Sequence, residues 1–311
     1  MRVVFMGTPE FAVPSLTALA EAGHQIPLVF TRPDAVRGRG KKLVPSPVKQ
    51  KAAELGIPVF ETSRMTSEAK EALRAAAPDV ICVVAYGCIL PDDVLEAAPL
   101  GAVNVHASLL PRWRGAAPIQ RSILAGEAQT GVSIMRVAHE LDAGAWCAQA
   151  HVQIGEKGCE QVTSELAEAG AAALVESLPR LADGTVEWHE QDEAGVTFAA
   201  KVRKDEMRLD PADAVAVNAR RVQASGDTAP ARASVAGKGV RVMSARVADG
   251  EELALGEELA LGEVVAQKKR VLLGCADGAL EVLSVKPDGK KEMPAASWAA
   301  GLRGDLTWER I

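Results

Sequence analysis

Long apolar runs are missing from this 311-residue chain, although 48% of its residues are hydrophobic. No stretch reaches the roughly 18 consecutive apolar residues that would indicate a membrane span. Residues 1–7 lead into an apolar strand and a turn, without the charged leader, apolar core and cleavage site of a secretion signal. We therefore expect a cytoplasmic protein with no membrane contact, long enough for two domains with a core each.

Cysteine is scarce, and its placement argues against both disulfides and metal sites. The five cysteines are odd in number, are scattered and lack metal-like pairing. They are Cys82, Cys88, Cys147, Cys159 and Cys275. This pattern favours reduced thiols, and we expect no metal. The Gly-x-Gly-x-x-Gly motif is also missing, since only Gly7 follows the first strand, so support for dinucleotide binding is weak.

The net charge is −6, which argues against a general nucleic-acid binder. The charges are nevertheless uneven. Residues 32–51 carry seven basic residues and one acidic residue, Asp34, within an acidic first part of the chain. Such a positive island suits one localised, phosphate-rich partner, and the alternative is an ordinary solvated loop.

The first 200 residues alternate between strand-like and helix-like segments. Residues 2–6 predict a strand and Gly7 a turn, after which Thr8 is expected to cap a helix that Gly23 ends. Residues 32–47, rich in Gly, Pro and charge, predict a long functional loop. Further helices are predicted over residues 47–55, 65–76, 118–125 and 163–178, and further strands over residues 26–30, 57–60, 80–85, 103–106 and 131–137. This alternation predicts an α/β fold with a doubly wound, mostly parallel sheet.

After about residue 204 the pattern changes. One helix is predicted over residues 211–222, followed by short Val-rich segments separated by Gly, Asp and charged turns. These segments are residues 239–247, 262–266, 270–274 and 280–285. They predict a small antiparallel barrel. A six-residue tandem repeat over residues 251–262 is interpreted as an expanded surface loop.

The most informative stretch is residues 101–111. Its first half alternates apolar and polar residues, which places Asn104 and His106 on one face of a strand. Asp142, later in the chain, can complete an amide–imidazole–carboxylate set of the kind that acyl transfer uses. The alternative is a strand whose Asn and His only satisfy neighbouring backbone groups.

Residues 104–120 resemble the signature of the folate-dependent formyltransferases. With Leu141-Asp142-Ala143-Gly144 added, the chain is most similar to the branch of that family that formylates the methionyl group of initiator tRNA. The resemblance runs over essentially the whole chain and is strongest before residue 205. Further matches are residues 5–12, 38–49, 83–91, 191–193 and 196–199.

This resemblance implies transfer of a formyl group from 10-formyltetrahydrofolate to the α-amino group of methionyl initiator tRNA, in translation initiation. Asn104 would then donate an amide hydrogen bond to the developing oxyanion, and His106 would donate a second hydrogen bond or a proton to it. Asp142 would keep His106 charged and oriented. The resemblance implies a Rossmann-like catalytic domain over residues 1–204. It also implies an OB-like barrel domain, tRNA-binding, over residues 209–311. No metal is needed, and we expect a monomer.

The resemblance also implies two sets of binding residues. The tetrahydrofolate contacts would be Ser108, Leu109, Leu110, Pro111, Tyr86, Gly87, Ile89 and Leu90. The tRNA contacts would be Arg37, Arg39, Lys41 and Lys42. Two departures from the family pattern are Ala145, where an acid is usual, and residues 222–230, which replace an Asn-Pro-Trp-Pro-like segment.

Two other functions remain open at this point. The first is a formyltransferase for a small amine acceptor, such as glycinamide ribonucleotide or a sugar nucleotide. The basic loop and the second domain argue against it, since a small acceptor needs neither. The second is a non-catalytic RNA-binding relative, against which Asn104, His106 and Asp142 argue.

Overall fold

A computed structural model describes residues 1–36, 43–248, 259–303 and 305–311. These residues form two compact units. The first contains residues 1–118, 129–153 and 162–199, and the second contains residues 119–128, 154–161 and 200–311. The chain therefore contributes two short segments to the second unit before it reaches residue 200. The tandem repeat over residues 251–262 lies largely outside the described residues.

The strands are β1 (Arg2–Gly7), β2 (Gln25–Thr31), β3 (Ala35–Val36), β4 (Leu43–Val44), β5 (Val59–Glu61), β6 (Val80–Val84), β7 (Ala102–His106), β8 (Arg114–Gly115), β9 (Gln129–Arg136), β10 (Trp146–Gln153), β11 (Phe198–Ala199), β12 (Arg232–Val235), β13 (Lys238–Val247), β14 (Val264–Ala266), β15 (Val271–Cys275), β16 (Gly278–Pro287), β17 (Met293–Pro294) and β18 (Trp308–Glu309). The helices are α1 (Val13–Glu21), α2 (Pro47–Glu54), α3 (Ser67–Ala76), α4 (Asp92–Leu95), α5 (Pro118–Ala125), α6 (Cys159–Ala182), α7 (Val215–Gln223) and α8 (Ala295–Ala299). Within those described ranges, no helix combines the length and the apolar character that crossing a membrane requires.

The first unit is built on a seven-stranded sheet in the order β10-β9-β7-β6-β1-β2-β5. The five strands from β7 to β5 in that order are parallel, and β9 and β10 run antiparallel at one edge. Strand β6 is fully buried, as expected for the centre of a parallel sheet. The predicted α/β fold with a mostly parallel sheet is confirmed.

Two local predictions in this unit are wrong. Thr8 does not cap a helix, because its hydroxyl donates to the Tyr86 carbonyl at 3.0 Å, and a short 3-10 turn precedes α1. The stretch 32–47 is not entirely loop, since β3 and β4 pair as an antiparallel ladder. Sequence periodicity missed both features because each depends on hydrogen bonds between separate segments.

The second unit contains a sheet in the order β14-β15-β16-β13-β12-β18, with antiparallel neighbours throughout. The two ends of this sheet meet, because the Val264 amide donates to the Leu306 carbonyl at 3.0 Å and the Trp308 amide donates to Gly262 at 2.8 Å. The sheet is therefore a nearly closed barrel, as predicted. Helix α7 begins at Val215 rather than near residue 211.

Candidate active site

Strand β7 places Asn104 and His106 on the same face of the sheet. Gly170 of α6 packs on the opposite face, where an added Cβ would lie only 2.6 Å from Val105 Cγ1. Because successive residues of a strand alternate between faces, Asn104 and His106 point away from α6. Opposite His106 on β9 is Ser133, which shares that face.

The His106 imidazole is 6% exposed and has an oxygen near each ring nitrogen. Its Nε2 lies 3.0 Å from the Trp113 carbonyl oxygen, and its Nδ1 lies 3.7 Å from Asp142 Oδ2. Since a carbonyl can only accept, Nε2 carries the hydrogen in this contact. The structure thus brings His106 and Asp142 together from segments 36 residues apart in the sequence, with Nδ1 directed toward the carboxylate.

Asp142 is fixed by the main chain of the segment that follows β7. Its Oδ2 accepts a hydrogen bond from the Gly115 amide at 2.8 Å. Residues Arg114 and Gly115 form β8, which pairs in parallel with β11. The same carboxylate oxygen, Oδ2, therefore faces both a backbone donor and the imidazole.

The loop over residues 108–111 is held by a hydroxyl that sequence reasoning missed. Ser133 Oγ donates to the Ser108 carbonyl at 2.7 Å and accepts from the Leu110 amide at 3.1 Å. It also accepts from Gln149 Nε2 at 3.0 Å, and the same amide nitrogen donates to the Leu110 carbonyl at 2.9 Å. All three hydrogen-bonding positions of the Ser133 hydroxyl are therefore used, two on this loop and one on Gln149.

The residues of this loop differ in what they can offer a ligand. Ser108 is completely buried and donates its hydroxyl to the Arg112 carbonyl at 2.6 Å. Leu110 is buried, and the Leu110-Pro111 peptide bond is cis. Leu109 and Pro111 are only half-buried. The accessible parts of the loop are thus the Leu109 and Pro111 side chains and the main chain.

The segment over residues 86–91 lies after β6, at the carboxyl end of the parallel strands. Tyr86 is 1% exposed, its ring packs in the core with Val94 and Ala98, and burial raises the pKa of its phenol. Gly87 adopts a φ of 73°, and Ile89 is 91% exposed. Any contact of Tyr86 with a ligand has to come from its backbone, whereas Ile89 presents its side chain to solvent.

The predicted tRNA contacts Arg37, Arg39, Lys41 and Lys42 lie outside the described residues. The residues on either side of this segment are described, and an ion pair connects Lys49 on one side with Asp34 on the other. Lys49 Nζ lies 2.7 Å from Asp34 Oδ1 and 2.7 Å from Glu61 Oε1. These hydrogen bonds raise the pKa of Lys49, which keeps it charged and occupied within the protein.

Among the residues that the structure describes, no group of three or more His, Cys, Asp or Glu side chains could hold a metal ion. The cysteines there are free thiols, and burial raises the pKa of Cys275 to about 11. Ala145, one of the two departures from the family pattern, is buried, and its carbonyl accepts from the Arg136 amide at 2.9 Å.

Comparison with known proteins identifies relatives of both parts of the chain. Residues 1–178 match the family described as formyl transferase, and residues 201–303 match its C-terminal domain. The methionyl-tRNA formyltransferase of Methylococcus capsulatus is 46% identical over 95% of each chain. The enzyme of the same name from Halorhodospira halophila is 43% identical over 97% of this chain and 96% of its own.

A solved structure shares the fold at low identity. HypX from Aquifex aeolicus, in complex with tetrahydrofolic acid, aligns with a TM-score of 0.66 and 18% identity, covering 99% of this chain and 50% of that one.

Proposed function

We propose a function for a chain that belongs to the formyltransferase family and is similar along its whole length to methionyl-tRNA formyltransferases. It transfers a formyl group from 10-formyltetrahydrofolate to methionyl initiator tRNA. The observation that carries this proposal is the contact between His106 and Asp142 at the end of β7, on the face that also holds Asn104. The strand pattern predicts the shared face of Asn104 and His106, and Asp142 is the later residue expected to complete the set.

The reaction forms a bond between the α-amino nitrogen and the formyl carbon and breaks the bond from that carbon to N10 of the folate. The amine loses a proton, and N10 gains one. Asn104 donates its side-chain amide to the formyl oxygen as negative charge develops there. Such a donor contributes roughly 10²–10³ in rate.

His106 and Asp142 handle the proton. Because the Nε2 hydrogen is directed to the Trp113 carbonyl, Nδ1 is the ring atom that exchanges a proton with the reacting amine. Asp142, 3.7 Å away, stabilises the imidazolium that results. The Gly115 amide keeps that carboxylate oriented throughout. The 3.7 Å separation is longer than a hydrogen bond and leaves room for adjustment when substrate binds.

The folate is assigned to residues 86–91 and residues 108–111. The exposed Ile89 and the half-buried Leu90, Leu109 and Pro111 supply apolar surface for the ring system. Gly87 and the backbone of Tyr86 and Ser108 supply polar groups without side-chain bulk. These residues fit a flat, polar-edged ring, and the formyl donor binds as a co-substrate.

The tRNA acceptor end is assigned to the basic loop. Of the seven basic residues in 32–51, Lys49 and Lys51 pair with carboxylates, and Arg32 donates to the Gly87 carbonyl at 3.3 Å. We assign the RNA contacts to the other four, Arg37, Arg39, Lys41 and Lys42. The barrel over residues 209–311 is assigned a further share of tRNA binding. We propose a monomer that acts in the cytoplasm, where translation begins.

A panel of acceptors tests the assignment. The protein is incubated with 10-formyltetrahydrofolate and either methionyl initiator tRNA, glycinamide ribonucleotide or an amino-sugar nucleotide, and formylated product is measured by mass spectrometry. We expect product from the charged tRNA alone. Product from a small acceptor but not from tRNA would favour the hypothesis that the protein is a formyltransferase for a small amine. Tight tRNA binding without any product would favour the non-catalytic RNA-binding relative.

The loop has a test of its own. The triple variant Arg39→Ala, Lys41→Ala, Lys42→Ala should bind charged tRNA more weakly, with a salt slope flatter by roughly 2–3, since each lost phosphate contact removes about 0.7–0.9. Folate affinity should not change. A triple variant that binds and formylates tRNA like the parent at all salt concentrations would show that the loop is only a solvated surface.

A further inference from the structure

Gln191 lies buried beside the catalytic carboxylate and uses its whole side-chain amide there. Its Nε2 donates to the Asp142 carbonyl at 2.8 Å and to the Gly144 carbonyl at 2.8 Å. Its Oε1 accepts from Arg114 Nε at 2.9 Å. The amide orientation is unambiguous, because the reverse would direct an oxygen at two carbonyls and an NH₂ at a guanidinium.

The turn that Gln191 holds is a strained one. Asp142 has a φ of 50°, in the left-handed region that is sterically strained for an L-residue. The turn also packs tightly, since an added Cβ at Gly144 would lie 2.1 Å from the Arg136 carbonyl oxygen. Such a conformation persists only where surrounding contacts fix it. Gln191 fixes it at two carbonyls, on either side of Ala143.

Gln191 also connects this turn to the segment that caps the Asp142 carboxylate. Arg114 is 5% exposed and precedes Gly115, whose amide donates to Asp142 Oδ2. The segment over residues 188–199 lies beside both the turn at Asp142 and the segment after β7. His189 pairs with Trp146. Thr197 accepts from the Trp113 amide through Oγ1 and from the Arg114 amide through its carbonyl. The His106 partners Trp113 and Asp142 are thus both held from this one segment.

We propose that Gln191 is a positioning residue for formyl transfer, which sets the distance between the Asp142 carboxylate and His106 without touching substrate. The proposal rests on the proposed function for its kinetic consequence. A displacement of about 1 Å in a catalytic group is enough to cost on the order of 10²-fold in rate. The effect should therefore appear in kcat rather than in substrate binding.

The test uses Gln191→Met, which keeps length and bulk but removes every hydrogen bond, and Gln191→Glu, which keeps an acceptor for Arg114 but places a carboxylate against two carbonyls. Gln153→Met is the matched control, since Gln153 lies on β10 and its side chain bonds only to Gln129 in the described residues. Active sites are counted by folate titration, so that kcat refers to folded protein.

We expect both Gln191 variants to lose about 10–100-fold in kcat per folate-binding site, with KM for either substrate within about threefold. The control should match the parent. A second readout needs no turnover: the imidazole ¹⁵N signals of His106, assigned by comparison with His106→Asn, should shift in Gln191→Met. Unchanged kcat per site and unchanged ¹⁵N signals, with only a lower Tm, would overturn the proposal. An inactive parent protein would instead refute the proposed function, and the ¹⁵N shift would still decide the positioning role.

Discussion

Replacing Asp142 by Asn separates the charge of this residue from its structural hydrogen bond. The Asn side-chain oxygen can still accept from the Gly115 amide, which Asp142 Oδ2 now does at 2.8 Å, so the segment after β7 keeps its anchor. The charge beside His106 is lost. Asp142→Asn therefore asks how much of catalysis depends on stabilising an imidazolium.

The magnitude follows from the geometry. At the observed 3.7 Å between Nδ1 and Oδ2, opposite charges attract by about 4 kcal/mol at an effective dielectric constant of about 20. The Asp142 side chain is 18% exposed, and water reduces this attraction to about 2–4 kcal/mol. Since about 1.4 kcal/mol corresponds to tenfold, kcat should fall by roughly 30- to 1000-fold.

The assay is steady-state formylation of methionyl initiator tRNA, with folate affinity and Tm measured in parallel. Asp142→Asn should keep both the folate affinity and the Tm of the parent. Asp142→Ala, which also leaves the Gly115 amide without its partner, should lose at least as much kcat and about 1 kcal/mol of stability besides. An Asp142→Asn enzyme within threefold of the parent kcat would refute the role of the charge.

Three further predictions concern stability and thiols. Gly144→Ala should lower the free energy of unfolding by on the order of 1–3 kcal/mol, because its Cβ would meet the Arg136 carbonyl oxygen at 2.1 Å. Chemical denaturation measures this, and Gly158→Ala is the control, because the space around Gly158 is open. The hydrogen bond from Arg121 lowers the pKa of Glu206, so the ionised carboxylate stabilises the fold at neutral pH and that gain is lost as pH falls through the lowered pKa. Glu206→Gln should accordingly reduce Tm more at pH 7 than at pH 3, and an equal reduction at both would contradict this. Burial raises the pKa of Cys275 to about 11, so iodoacetamide at pH 7.5 should leave it unmodified in the folded protein by mass spectrometry, with activity retained.

Much of the fold could be predicted because local sequence patterns indicate its elements. The apolar runs of β1 and β6, the Ser46-Pro47 start of α2 and the alternation of β7 each identify an element without reference to distant residues. The face shared by Asn104 and His106 follows from alternation alone. Strand β10 was missed because most of its residues are only half-buried and its polarity alternates weakly.

The supporting contacts of the site could not be predicted in this way. Ser133, Gln149 and Gln191 act through hydrogen bonds to main-chain groups of distant segments, and such bonds leave no periodicity in the sequence. Gln191 did stand within a motif that resembles the family, but its neighbour Asp192 looks equally suitable in the sequence alone. Only the fold distinguishes them, because Gln191 is buried against Asp142 while Asp192 is exposed. The roles of Asn104, His106 and Asp142 stay predictions until they are measured.

A single-turnover experiment on the parent protein and His106→Ala tests the central claim most directly. Enzyme in excess is mixed with 10-formyltetrahydrofolate and methionyl initiator tRNA, quenched at intervals, and the methionine is released and weighed by mass spectrometry. The parent should produce N-formylmethionine, and His106→Ala should do so roughly 10²–10⁴ times more slowly with folate affinity unchanged. No formylmethionine from the parent, or parent-like rates from His106→Ala, would contradict the account.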